Sequence, residues 1–155
     1  MNEVAATPRW VGSVLVALQF GLLGLLAWQA LPALGRGAWP VDAVLLAAAA
    51  LGLGLWSLAA NRPGNFNIHP TPREGGVLVQ HGPYRWIRHP MYSTLLLAGL
   101  AAARLAGGPG PWLTLAALAV VLAAKAAVEE RALLRHHAGY AAYQQRSWRF
   151  VPGIY

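Results

Sequence analysis

The chain contains no cysteine, which excludes disulfides, thiolate metal sites and cysteine nucleophiles. It is also short of charge: charged residues make up 11% of its 155 positions, against about 25% in an ordinary soluble domain. Acids are the scarcer sign, five against twelve lysines and arginines, for a net charge of +7. With hydrophobic residues at 57%, the polar surface is too small to cover a water-facing globule of this size. That excludes intrinsic disorder and speaks against a soluble enzyme. A basic balance often marks nucleic-acid binding. Here the cations are spread between apolar stretches, where membrane topology accounts for them, and no nucleic-acid partner is expected.

What the sequence has in abundance is apolar runs. A helix needs roughly 20 apolar residues to cross ~30 Å of hydrocarbon. Val11 to Leu31 and Val41 to Ala60 meet that length, the first with Gln19 and Gln29 as its strongly polar side chains, the second with Asp42 at its mouth. Met91 to Ala106 and Trp112 to Val128 are shorter, with Arg104 and Lys125 near their ends, where long basic side chains snorkel to the interface. The first run exceeds the usual 7–15 apolar residues of a signal peptide and follows no clearly basic flank, so it reads as a span. Pro32, Gly35, Gly37 and Pro40 punctuate the first connection, and Gly107 to Pro111 the third. Both are tight, which predicts two antiparallel hairpins. The expected fold is all-α, an integral membrane bundle of four transmembrane helices forming one domain over residues 1–155, with a loop at 61–90 and a tail at 129–155.

Charge placement orients this bundle. With four spans, the N-terminus, the long loop and the tail share one side, and that side holds ten of the twelve basic residues, all but Arg36 and Arg104. The positive-inside rule then puts loop, tail and both termini in the cytoplasm, as in an inner (plasma) membrane protein. Trp10, Trp28, Trp39, Trp56 and Trp112 fall at or near span ends, as interface aromatics do.

The polar chemistry collects on that side. The loop interleaves Asn61, Asn65, Asn67, His69, Arg73, Glu74, His81, Tyr84, Arg85, Arg88 and His89 with apolar residues, and a loop that long without low complexity is usually functional. Val77 to Val79 reads as a short extended piece, Gly82-Pro83 as a turn, Tyr84 to Arg88 as a short interfacial helix, and Pro90 as the first turn of the third span. In the tail, Glu129, Leu133, His136, Tyr140 and Tyr143 share one helical face, which predicts a helix running to about Trp148 despite Gly139. Phe150 to Tyr155 closes the chain as an apolar hook.

Glu130 has only Ala126, Ala127, Leu133 and Leu134 one turn away, so no base on its own helix pairs with it. An unpaired carboxylate at a membrane boundary is a functional candidate. Arg88 and His89, at the mouth of the third span, are the second candidate. His136 and His137 are adjacent and point to different helix faces, and no histidine and carboxylate set has ligand spacing on one element, so no metal site is expected. No G-x-S-x-G nucleophile motif and no phosphate-binding glycine loop occurs.

Taken together, His81-Gly82-Pro83-Tyr84-Arg85-Trp86-Ile87-Arg88-His89-Pro90-Met91-Tyr92, a two-span hairpin, Glu129-Glu130, and Arg149-Phe150-Val151-Pro152-Gly153-Ile154-Tyr155 resemble the isoprenylcysteine carboxyl methyltransferase family, and the related phospholipid methyltransferases. The likeness covers about residues 61–155; the first two spans match only as hydrophobic helices. The resemblance implies a membrane enzyme that transfers a methyl group from S-adenosylmethionine to a lipid or prenylated acceptor. It also implies a cofactor site built by His81, Gly82, Pro83, Tyr84, Arg88, His89, Pro90, Tyr92, Glu129 and Glu130, with Arg88, His89 and Glu130 as the catalytic candidates. Many members have glycine two residues after the motif tyrosine, where this chain has Thr94.

The residues suit such a donor in their own right. A carboxylate receives an amine or ribose hydroxyl, Arg88 or His89 receives a carboxylate through charge-assisted bonds, and Tyr84, Trp86 and Tyr92 face a sulfonium or stack on adenine. In-line methyl transfer needs alignment rather than a covalent intermediate. Two other classes compete. One is an NADPH-dependent membrane reductase using Arg62, Arg73 and Arg85 for the extra phosphate; the other is a non-catalytic membrane scaffold.

Overall fold

A computed structural model describes residues 8–37, 39–61 and 77–155. Four long helices run in order: α1 (Arg9–Arg36), α2 (Val41–Ala60), α3 (Pro90–Ala106) and α4 (Pro109–His136), followed by the short α5 (Tyr140–Gln145). Each long helix starts at or beside a proline: Pro8 and Pro40 cap α1 and α2, and Pro90 and Pro109 open α3 and α4. Proline's fixed φ suits the first turn, and its missing N–H is one that the turn cannot use anyway. The Arg62, Arg73, Asn65, Asn67, His69 and Glu74 expectations lie outside the described residues.

Three helices, α1, α2 and α4, are long and apolar enough to cross a membrane. The 17 residues of α3 rise roughly 25 Å, so it is the short member of the bundle. Leu45, Leu51, Leu55, Leu113 and Val120 are all more than half exposed. Such faces are an aggregation hazard in water and ordinary in lipid. The five interface tryptophans, Trp10, Trp28, Trp39, Trp56 and Trp112, are exposed as well. The protein is an integral membrane protein.

Packing centres on α3, which touches α1, α2 and α4; α1 also lies along α4. Small residues allow this. A methyl group added to Gly99 would stand 2.9 Å from Leu115 and 3.3 Å from Leu26, so α1, α3 and α4 meet closely at that point. Thr94, the departure from glycine, turns its methyl towards Gly54 of α2, where an added Cβ would stand 3.1 Å away. The bulk gained on α3 is thus matched by a glycine on α2. Leu26, Leu118, Leu122, Ala126 and Phe150 form the buried core.

Several local expectations are corrected. α1 runs through Pro32 to Arg36 and stops at Gly37, whose φ of 70° places it in the left-handed region that glycine tolerates. The first connection does not make a packed hairpin: α1 lies on α3 and α4, and α2 on α3. The short helix is a 3-10 turn over Gly82–Arg85 rather than Tyr84 to Arg88, because Ile87 is extended and pairs in parallel with Trp148. The tail helix does not continue to Trp148. It breaks at His137, which is extended, and resumes at Tyr140. Gly139 is the weak helix former there, and the break lets α5 fold back on α4. Lys125 does not snorkel; it is 2% exposed, with Nζ donating to Gln19 Oε1 at 2.7 Å.

Candidate active site

The site forms where three stretches meet at one end of the bundle. The first is the 3-10 turn, held against α2. Gly82 has φ 59°, and a Cβ there would stand 2.7 Å from Ala60 Cβ, so only glycine lets the turn sit this close. Pro83 is buried beneath it, and Trp86 packs against Trp56 with ring centres 5.9 Å apart and the planes tilted by 57°. The second stretch is the C-terminal segment, which runs beside residues 86–89. Trp148 N–H donates to Trp86 O at 2.8 Å, Arg88 N–H to Trp148 O at 2.7 Å, and His89 N–H to Arg149 O at 3.1 Å. Ser93 Oγ donates to Phe150 O at 2.7 Å and ties the hook to α3. The third stretch is the end of α4, which carries Glu129 and Glu130.

Glu130 is buried and engaged at both oxygens. Arg88 Nε donates to its Oε1 at 2.8 Å, and His89 Nε2 lies 3.2 Å from the same oxygen. Arg149 Nη2 donates to Oε2 at 2.7 Å, with Gln144 Nε2 also on Oε2 at 3.3 Å. The expectation that Glu130 has no basic partner holds on its own helix alone; its partners come from the loop and the tail. Burying a carboxylate is costly unless it is paired and hydrogen-bonded, and here it is. Pairing with Glu130 in turn raises the pKa of Arg149.

Glu129 differs. Its side chain is 29% exposed, Tyr92 Oη donates to its Oε2 at 2.9 Å, and His89 Nδ1 stands 3.6 Å from that oxygen. His89 therefore lies between the two carboxylates, its ring stacked on Tyr92 at 5.2 Å and 3°. Arg88 is fixed by further bonds from Nη1 to the carbonyls of Gln144 (3.1 Å) and Ser147. Tyr143 Oη donates to Tyr84 O at 2.5 Å and couples α5 to the 3-10 turn. Burial, with the charge of Glu129 adding to it and a hydrogen bond from Asn61 opposing it, pushes the Tyr84 phenol up to about 12, so it stays a neutral donor.

Of the expected site residues, Arg88, His89, Tyr92, Glu129 and Glu130 are brought into mutual contact. Tyr84 lies near enough to feel Glu129, Gly82 and Pro83 seat the turn, and Pro90 opens α3. His81 is exposed at the start of the turn. Sequence reasoning missed Arg149, Gln144 and Ser147 as partners of the cluster; Arg149 stood inside the C-terminal motif, and that was its one signal. It also missed Tyr140, 1% exposed, whose hydroxyl has no partner among the described residues. Among the described residues no group of histidines and acids is placed to hold a metal ion.

A lipid-exposed helical bundle with a buried ion cluster at one end defines a membrane protein whose polar work is done at that end. The model of the isoprenylcysteine carboxyl methyltransferase (ICMT) family matches residues 41–135, and the chain belongs to that family of membrane methyltransferases. The match runs from the start of α2 almost to the end of α4. It includes both halves of the cluster and leaves out α1 and the Arg149 hook. No curated protein and no solved structure matches the chain.

Proposed function

We propose that the chain transfers a methyl group from S-adenosylmethionine to a lipid-borne or isoprenoid acceptor, such as the carboxylate of a prenylated cysteine, at the inner membrane face. The observation that carries this reading is the meeting of Arg88–Tyr92 with Glu129–Glu130, in a chain of this family. The four long helices all cross the bilayer, α3 being the shortest crossing, with both termini in the cytoplasm of an inner (plasma) membrane protein.

The residues fit a donor with an ammonium, a carboxylate, ribose hydroxyls and a sulfonium. Arg88 binds Glu130 through Nε and two carbonyls through Nη1, which among the described residues leaves Nη2 for an anion. Glu129 uses Oε2 for Tyr92 and, among the described residues, keeps Oε1 for an amine or hydroxyl. The Tyr140 hydroxyl is a buried polar atom without a partner among the described residues, and such atoms are rare unless something else satisfies them. Tyr84 supplies an aromatic face, Tyr92 orients Glu129 through its hydroxyl, and Gly82, Pro83 and Pro90 set the loop that carries them, with His81 at its rim. When bound, the donor supplies an electrophilic methyl group. Arg88, His89 and Glu129 would then hold it in line and keep water out. Glu130, both oxygens already engaged, acts as the positioning residue for Arg88, His89 and Arg149.

Glu129→Gln tests this assignment, because it removes one partly exposed charge and keeps the shape. Affinity for S-adenosylmethionine, measured by calorimetry on protein in nanodiscs, is expected to fall by more than about tenfold while the melting profile stays in place. Unchanged affinity would refute the role given to Glu129.

A further inference from the structure

Lys125 is a cation enclosed within the bundle. It is 2% exposed, and its Nζ donates to Gln19 Oε1 across the α1–α4 seam at 2.7 Å. The ammonium also sits 5.3 Å from the centre of the Tyr92 ring. Among the described residues no carboxylate lies within salt-bridge distance of it. An ammonium carries three N–H donors, and here one meets a neutral amide. Glu129, one turn on along α4, is the acid whose charge bears on it, and an ionisable residue within a membrane span marks a functional position. The Tyr92 ring connects this cation to the site, since Tyr92 Oη is bonded to Glu129 and the ring stacks on His89. Lys125 thus lies one helical turn before Glu129 on α4, towards the middle of that helix.

We propose that Lys125 is the specificity-determining residue for the charge of the acceptor: its ammonium takes an anionic head group, a carboxylate, in the place that the Gln19 amide oxygen holds. This rests on the methyltransferase reading and adds to it the residue that reads the acceptor's charge. The chemistry agrees with the sign. A carboxylate oxygen attacks the methyl carbon with a lone pair; the O–C bond forms as the S–C bond breaks, the S–C electron pair stays on sulfur, and the sulfonium becomes a neutral thioether. No proton moves, so no general base is required. An amine acceptor must arrive uncharged and then shed a proton, and a fixed ammonium beside it opposes the cation that forms.

The test is acceptor binding without donor. A fluorescent farnesyl-chain carboxylic acid and its methyl ester are titrated against protein in nanodiscs of neutral lipid. Wild type is expected to favour the acid by about tenfold or more. Lys125→Met, similar in length and uncharged, is expected to bring the two within about twofold. Gln19→Glu keeps the lysine and gives it a resident carboxylate; it is expected to retain the fold and also to lose the preference for the acid. A lysine that serves only to pin α1 to α4 predicts the opposite for Gln19→Glu, a tighter seam with the acid preference intact. That result, or an equal preference in Lys125→Met and wild type, overturns the proposal. S-adenosylmethionine binding is measured on the same samples. Its absence in wild type alongside a normal acid preference would defeat the methyltransferase reading and leave the anion site standing.

Discussion

The two ends of the bundle carry the same kind of contact in opposite surroundings. At one end Arg104 Nη2 meets Asp42 Oδ2 at 2.6 Å, with the two side chains 43% and 52% exposed. At the other, Arg88 meets Glu130 at 2.8 Å with side chains 11% and 4% exposed. The distances are alike, so distance does not tell the pairs apart. Solvent does. The exposed pair exchanges water for a partner at little gain. The buried one cannot lose a partner without leaving a charge uncompensated. The same arrangement that makes the second pair fragile also gives it a function: Glu130 gathers Arg88, His89, Gln144 and Arg149 from three segments and fixes them around the less encumbered Glu129.

Substitutions at the two ends break or sharpen this contrast. The largest effect is expected from Glu130→Ala, which strands Arg88 and Arg149 together; unfolding in detergent is expected to show a loss of about 3–5 kcal/mol, with donor binding abolished. Wild-type stability in that variant would mean that the cluster is not the clasp described. Next comes Gly82→Ala, which forces a methyl group into Ala60 and a side chain into the left-handed region. A cost of about 1–3 kcal/mol is expected, together with weaker donor binding as the 3-10 turn lifts from α2. The smallest effect belongs to the exposed end: Asp42→Asn is expected to change stability by less than about 1 kcal/mol and to leave donor affinity alone. A larger change there would erase the distinction between the ends.

The sequence made one end of the molecule far more legible than the contacts inside it. Apolar length and the positions of proline and glycine located the four long helices. The residue types in Arg88-His89-Pro90-Met91-Tyr92 and Glu129-Glu130 pointed to a shared site, since charges at a membrane boundary need partners. What periodicity cannot supply is the partner's identity. Lys125 finds Gln19 at a separation of 106 residues, and near a helix end a basic side chain reads as snorkelling until the packing of α1 is known. The continuous tail helix failed for a related reason. Its apolar and polar face persists through Gly139, but the chain turns there because Arg88 and Tyr84 draw the carbonyls and hydroxyl of α5 and the segment after it back onto the loop. Tertiary bonds outweighed a pattern that was locally correct.

The account stands or falls on a donor being held between the loop and the end of α4. The direct measurement is calorimetric titration of the protein in nanodiscs with S-adenosylmethionine and, in parallel, with NADPH. Saturable binding of S-adenosylmethionine, weakened by more than about tenfold in Glu129→Gln, with no binding of NADPH, is the predicted result. Tight NADPH binding without S-adenosylmethionine binding, or no binding of either, would contradict it.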